Sequence, residues 1–266
     1  MTGPALRLRL ENVGYPNAPA ALTGVELEVR SGERVAVIGG NGTGKTALLK
    51  TSIGLLPAPR EGVEVFGHPV GGAAADAVQA GAGLVFQNPD DQLFGATVLE
   101  DVLTGPRNQG LDSEEAGRRA FAALRSAGLA QLGERRIETL SFGERKRACI
   151  AGALAMQPAL LLLDEPTAGL DPVGELAFAA LLRGLGESGR VAVVAATHAV
   201  DLVPLFADRV VLLGRGRVLA DGPPDEVFEE TALLAEARVR APMARVGPPL
   251  GIAPIEHSFQ PAGRSP

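Results

Sequence analysis

Two clusters of residues have types and spacings that could do chemistry. The first is Gly39-Gly40-Asn41-Gly42-Thr43-Gly44-Lys45-Thr46, which satisfies G-x-x-x-x-G-K-[ST]. Glycines let backbone N–H groups converge on phosphate oxygens without a Cβ in the way. A helix N-terminus directly after the loop would add its positive dipole end. Lys45 could then reach the β and γ phosphates of a nucleotide, and the Thr46 hydroxyl could ligate Mg²⁺. The second cluster is Asp164-Glu165, two adjacent acids closing the apolar run Leu160–Leu163. Acids at a strand's carboxyl end are placed to hold Mg²⁺ and an attacking water. Asp164 would meet the metal, directly or through water, and Glu165 would act as base or as orienter for that water. The plainer alternatives are a glycine-rich turn and an acid-capped strand end before Pro166. Together, the two clusters favour nucleotide chemistry.

Both clusters need buried strands behind them. Arg34–Ile38, Leu84–Phe86, Leu160–Leu163 and Val191–Ala196 are apolar without alternation, as expected of strands covered on both faces. Helical stretches such as Lys45–Leu56 and Leu176–Gly184 lie between them, which predicts a doubly wound α/β sheet. The opening differs. Leu6, Leu8 and Leu10 alternate with Arg7, Arg9 and Glu11, and Val25, Leu27 and Val29 repeat that period after a turn-like Tyr15–Ala20 segment. Period two with one wet face predicts antiparallel strands. Residues 88–157 interrupt the β/α rhythm and read as an inserted helical lobe, clearest over Ser113–Ala127 with Asp112 or Ser113 at the cap. Val210–Leu213 and Arg217–Leu219 predict a hairpin across Gly214–Gly216, followed by a short helix near Glu229–Arg240. The implied division is 1–87 and 158–240 for the two parts of the core, 88–157 for the lobe, and 241–266 for a tail. That tail has six prolines and three glycines and is expected to be extended or disordered.

Composition removes several classes. The chain has 266 residues and a net charge of −6, with no strongly basic stretch, which argues against a nucleic-acid footprint. Cys149 is the only cysteine, so an internal disulfide and a cysteine metal cluster are both excluded. Residues 1–15 lack a signal-peptide pattern, and the longest apolar runs fall far short of the ~18 residues of a spanning helix. The expectation is a soluble, cytoplasmic chain that reaches a membrane only through a partner.

With these residues in place, the sequence resembles the ATP-binding-cassette ATPase family over roughly residues 5–230. Gln87 follows Leu84–Phe86 where that family has a metal-sensing glutamine, and His198 follows Ala195-Ala196-Thr197 where it has a switch histidine. Leu140-Ser141-Phe142-Gly143-Glu144 stands at the family signature, Ala168–Asp171 at the loop after the acidic pair, and Tyr15 at the aromatic that stacks on adenine. Singly, each has a plainer reading: Gln87 could begin a turn at Asn88-Pro89, His198 could be a satisfied strand-end histidine, and Tyr15 could pack on the sheet. Their joint order carries the resemblance. Ser141 with Glu144 three residues later is also a capping box opening a helix. Phe142 and Glu144 depart from the family's usual glycine and glutamine, which puts bulk beside a dimer seam and negative charge near a phosphate.

The resemblance implies a RecA-like parallel core, an N-terminal antiparallel β subdomain and an inserted helical subdomain. It further implies an ATPase in which two copies close head to tail around two ATP with Mg²⁺. Tyr15 and Gly39–Thr46 would bind nucleotide, with Thr46, Gln87 and Asp164 holding the metal. Glu165, His198 and Gln87 would serve catalysis, while Ser141 and Gly143 would complete the partner copy's site. Gln87–Phe94, Thr97–Val102, Gly105-Pro106 and Ile150–Met156 are similar to the energy-coupling-factor type and its cobalt and nickel branch. That points to uptake of a divalent transition metal at the cytoplasmic face of the membrane. The partners would be an integral-membrane coupling subunit and a substrate-binding membrane subunit. In that type the segment after Gln87 receives helices of the membrane subunit. Leu93 and Phe94 would either floor that groove or anchor the loop to its own core. A vitamin importer of the same type is the near alternative. A soluble cassette acting on DNA or ribosomes is the distant one, and it would need a basic groove, a coiled-coil insertion or tandem cassettes.

Overall fold

The computed structural model describes residues 3–15, 18–59, 62–70, 81–187 and 191–243. Strands β1 (Leu6–Tyr15) and β2 (Ala18–Val29) pair antiparallel, with Leu6 opposite Val29 and Leu10 opposite Val25. Leu6, Leu8, Leu10 and Val13 are buried, as period two requires. The turn is narrower than the expected Tyr15–Ala20, because Tyr15 itself pairs with Ala18. A register shift between Val13 and Tyr15 lets the ladder continue, and such irregularities re-aim the side chains beyond them. Next come β3 (Arg34–Ile38), α1 (Lys45–Ser52), β4 (Val63–Val65), β5 (His68–Pro69) and β6 (Ala82–Val85). The antiparallel sheet has the order β2-β1-β4-β5. Helix α1 stops four residues before the expected Leu56. Gly54 takes φ 75°, and the amides of Gly54 and Leu55 bond back to Thr51 and Lys50, a left-handed C-cap that Gly54 makes easy.

Residues 88–157 form α2 (Val98–Asn108), α3 (Ser113–Ser126) and α4 (Phe142–Ala155), with 3₁₀ turns at Pro89–Asp91 and Ile137–Thr139 and only an isolated bridge between Thr97 and Arg136. Asp112, not Ser113, caps α3: its carboxylate accepts from the Glu115 amide at 2.9 Å. The chain then runs through β7 (Leu160–Asp164), α5 (Pro172–Glu187), β8 (Ala192–Thr197), α6 (Val203–Phe206), β9 (Arg209–Gly214), β10 (Arg217–Gly222), α7 (Pro224–Val227) and α8 (Thr231–Glu236). Helix α5 begins earlier than expected because Asp171 accepts from the Gly174 amide at 2.7 Å. The helix expected near Glu229–Arg240 is confined to α8, and the tail beyond residue 243 lies outside the described residues.

The larger sheet has the order β10-β9-β3-β8-β7-β6, parallel except for β10. It separates two cores, which is why its strands read as unbroken apolar runs. Ala36, Ile38, Leu161, Leu163, Val193 and Ala195 face the core shared with α4 and α5. Their neighbours Val35, Val37, Leu160, Leu162 and Val194 face the core shared with α1 and the antiparallel sheet. Four adjacent strands, β3, β8, β7 and β6, end on one rim, where open α/β sheets bind ligands.

Candidate nucleotide site

That rim carries the phosphate loop after β3, Gln87 after β6, the acid pair at the end of β7 and His198 after β8. The loop after β3 opens α1 at Gly44, whose φ of 104° only glycine adopts readily; no side chain caps this helix and its first turn holds no acid. The N-terminal amides are therefore free of internal acceptors from a cap, and such amides form an anion site. Neighbouring chain fixes the loop. The Gly40 amide donates to Ala237 O at 2.8 Å, and the Gly216 amide to Thr43 O at 3.1 Å. Lys45 is buried, its ammonium 2.8 Å from Gly39 O and 3.5 Å from Glu165 Oε1.

β7 delivers the acids. Asp164 Oδ2 accepts from the Thr46 hydroxyl at 2.8 Å, while Asp164 Oδ1 is buried with no hydrogen-bond partner. Burial holds the Asp164 carboxyl above the usual carboxylate range, against the Thr46 hydrogen bond that lowers it. An orphaned carboxylate oxygen beside a threonine hydroxyl is the hard-oxygen pair a divalent cation such as Mg²⁺ takes, so these residues fit it. Glu165 follows at φ 45°, a left-handed backbone that non-glycine residues adopt at a cost and that clusters at functional sites. That turn directs its carboxylate to three groups: Lys45, the His198 amide at 3.1 Å and His198 Nδ1 at 2.8 Å. β8 supplies His198, whose side chain is otherwise exposed.

Tyr15, Asn41, Gly42, Thr43, Gly44, Lys45, Thr46, Gln87 and Glu165 line one cleft of about 850 Å³. Gly39, Gly40, Asp164 and His198 are not among its lining residues. Sequence reasoning missed Arg215, which lines the same cleft from the β9–β10 turn at φ 48°. The Gly214–Gly216 turn by itself predicts only a hairpin; no local pattern shows that the Gly216 amide bonds to the phosphate loop. Also missed was Lys146, fully buried, whose Nζ donates to Phe86 O, Gln87 O and Asp164 O. Burial pushes its ammonium down to about 8, opposed by the Asp164 and Glu165 carboxylates. It is one of only three lysines in the chain.

Ser141 and Gly143 do not line this cleft. Ser141 caps α4: its hydroxyl accepts from the Glu144 amide at 3.2 Å, and its amide donates to Glu144 Oε2 at 2.7 Å. The Ser141 amide holds the Glu144 carboxyl below its usual range, and Arg135 lies 3.6 Å away. The negative charge expected to press on a phosphate is thus engaged by the cap. The Phe142 ring lies over Gly169, where an added Cβ would stand 2.4 Å from Cδ1. Of the apolar pair after Gln87, Leu93 packs on the core and Phe94 is 73% exposed.

Bare amides over a phosphate-sized loop, an ammonium, an acid pair and a rim of parallel strands define the nucleotide-binding cassette of an ABC ATPase. Residues 22–168 match the ABC transporter family, and the chain belongs to it. It is 46% identical to a putative ABC transporter ATP-binding protein of Geobacter sulfurreducens, over 88% of this chain and 84% of that one. It is 42% identical to the energy-coupling factor transporter ATP-binding protein EcfA of Methanocaldococcus jannaschii, over 86% and 82%. Among solved structures it matches cbiO1 of Clostridium perfringens, described as part of the ABC transporter complex cbiONQ, with a TM-score of 0.76 and 36% identity over 89% and 95%. A bacterial ABC transporter cassette solved as a dimer matches with a TM-score of 0.74 and 27% identity over 82% and 98%. The chain is an ABC-type ATPase with the α/β fold of that family, which binds ATP, generally with Mg²⁺.

Proposed function

We propose that this ATPase is the ATP-hydrolysing subunit of an energy-coupling-factor transporter importing a divalent transition metal, cobalt or nickel. The observation that carries the reading is the segment Gln87–Phe94. It begins at a cleft residue and ends at an exposed phenylalanine, so a partner on Phe94 would touch the segment that leads into the nucleotide cleft. The relatives named EcfA and cbiO1 support the transporter type. No described helix is long and apolar enough to cross a membrane. In a transporter of this type the membrane subunits would be separate chains and this one a peripheral subunit on the cytoplasmic face. Among the described residues no group of three or more His, Cys, Asp or Glu is placed to hold a metal ion.

In this reading Tyr15 stacks on adenine, and the loop amides and Lys45 grip the phosphates. Thr46, Asp164 and Gln87 hold Mg²⁺, which neutralises phosphate charge when bound. Glu165 accepts the proton of the attacking water, and His198, tied to Glu165, contacts the γ-phosphate. Two copies close head to tail, and Ser141 and Gly143 of one copy complete the other's site. The test is uptake of radiolabelled cobalt and nickel by cells carrying wild type or Glu165→Gln, with the subunit crosslinked through Phe94→Cys to its membrane partner. Metal uptake lost in Glu165→Gln and a crosslink to an integral membrane protein are expected. Normal metal uptake with loss of vitamin uptake would replace the substrate. Metal and vitamin uptake both unchanged in Glu165→Gln, with no membrane crosslink, would remove the transporter.

A further inference from the structure

Beyond Val85, paired with Leu163, the ladder between β6 and β7 ends. Residues 86 and 87 on one side and Asp164 on the other continue without strand bonds to each other. Gln87 and Asp164, both assigned above to the metal, sit across that opening. The Lys146 ammonium fills it. Its Nζ lies 2.7 Å from Phe86 O, 2.8 Å from Gln87 O and 3.2 Å from Asp164 O, so its three protons meet three carbonyls. Other residues of the same helix bind the same segment. Arg145 Nε is 3.1 Å from Asp90 Oδ1, and Cys149 Sγ is 3.8 Å from Pro89 O. On the outer side, Gln92 accepts from the Phe86 amide at 2.9 Å and donates to Leu84 O at 3.2 Å, mimicking a further strand.

A buried ammonium is a poor way to gain stability, since apolar replacements of buried charges are often neutral or stabilising. Its geometry here does something an apolar side chain cannot do. We propose that Lys146 is a positioning residue for the metal–nucleotide site: by bridging the ends of β6 and β7 it sets the separation of Gln87 and Asp164. It also ties that separation to α4, the helix that Ser141 opens. A shift of the segment after Gln87 would therefore be felt at once by the metal-holding acid and by the signature helix.

The inference rests on Gln87 and Asp164 serving the metal, and Asp164→Asn is the control for that assignment. Lys146→Met and Lys146→Gln are compared with wild type by three measurements. These are ATP affinity in EDTA, Mn²⁺ binding to the ATP complex by electron paramagnetic resonance, and the Mg²⁺ concentration giving half-maximal hydrolysis. Supporting groups around metal ligands typically change metal affinity ~10–100-fold, and Lys146→Met should weaken Mn²⁺ and Mg²⁺ by about that factor. ATP affinity in EDTA should hold within roughly threefold, as expected when only the metal-dependent contacts are lost. Lys146→Gln keeps two N–H donors and should fall between. Should Lys146→Met fail to fold, the shift in Lys146→Gln decides. Wild-type metal dependence in folded variants would overturn the strut, as would metal-free ATP affinity falling in step with melting temperature. Unchanged metal binding in Asp164→Asn would instead overturn the ligand assignment.

Discussion

Helices α1 and α4 both begin where the family resemblance puts phosphate, yet their N-termini are built in opposite ways. At α1 the cap is Gly44, left-handed, with no side-chain bond and no acid in the first turn. At α4 the cap is Ser141 in a reciprocal box with Glu144. The first helix leaves its orphan amides for a ligand; the second satisfies its own. The box engages the Ser141 and Glu144 amides but not those of Phe142 and Gly143, and the Ser141 hydroxyl, an acceptor here, keeps its proton to donate. A bare terminus is suited to gripping a highly charged phosphate by itself. A capped one is suited to adding a few bonds to an anion that another surface already holds, which is the part proposed for Ser141 and Gly143 in the partner copy's site.

The largest effect expected belongs to the bare terminus and its acid pair. Glu165→Gln keeps size and hydrogen-bonding reach but cannot take a proton at neutral pH. Hydrolysis should fall about 10²–10⁴-fold, the usual worth of a positioned base, with ATP binding retained. Mg-ATP should then shift the variant to twice the monomer mass on sizing. Turnover near wild type would remove Glu165 as the base. Gly44→Ala tests the bareness itself. An added Cβ would stand 2.7 Å from Ala21 O and 2.8 Å from Leu22 Cδ2, on a backbone at φ 104°. Left-handed strain and overpacking together should cost roughly 2–4 kcal/mol, read as a lower melting midpoint, and ATP affinity should drop with it. A variant that melts and binds like wild type would show that the loop does not need this conformation.

The two termini were not equally legible in the sequence. Gly39–Thr46 announced itself because glycine spacing, lysine and threonine are all local, and the S-x-x-E box at Ser141 was equally local. The buried strands were legible because each must satisfy two cores. The acids closing β7 were legible for the same reason, as polar residues at the end of an apolar run. What failed to show was built from distance. β4 and β5, three and two residues long, have no period to read; β4 exists because β1 offers an edge, and β5 because β4 offers the next one. Arg215 lies 172 residues from Thr43, and Lys146 bonds Phe86 across 60, separations no local pattern encodes. The early end of α1 could have been seen at Gly54.

Ser141→Ala examines the capped terminus with a smaller effect. Losing the hydroxyl removes the acceptor for the Glu144 amide, and N-cap deletions cost ~1 kcal/mol. The monomer's melting midpoint should fall by about 2–4 °C at this chain length. ATP affinity of the monomer should not change, because Ser141 does not line its cleft. Hydrolysis by the dimer should fall if the hydroxyl serves the partner copy. Mixing Ser141→Arg with Lys45→Ala subunits would then restore part of the activity, since one of the two composite sites carries neither lesion. No restoration in demonstrated mixed dimers, together with no crosslink from position 141 to position 43 of the other copy, would sink the trans role.

The smallest effect is expected at Glu144, and it bears directly on why one terminus is capped by a charge. Glu144→Gln keeps an acceptor for the Ser141 amide but removes the charge that complements the helix dipole, a change of about 0.3–1 kcal/mol. The sign of its pH dependence follows from the lowered Glu144 carboxyl. A group bound more tightly as the anion in the folded chain stabilises above its unfolded value, near 4.3 for glutamate, and that increment is lost as pH falls through the lower folded value. Wild type should therefore melt above Glu144→Gln at neutral pH, and the gap should close on acidification through the carboxylate range, because the amide has no proton to gain. The same substitution makes the α4 terminus more welcoming to an anion, so ATP-driven dimerisation of the Glu165→Gln background should strengthen slightly. A melting gap that stays constant down to the acid limit would mean that the charge contributes nothing to the cap. Unchanged dimerisation beside a closing gap would mean that the cap is purely a matter of folding and that phosphate never comes near it.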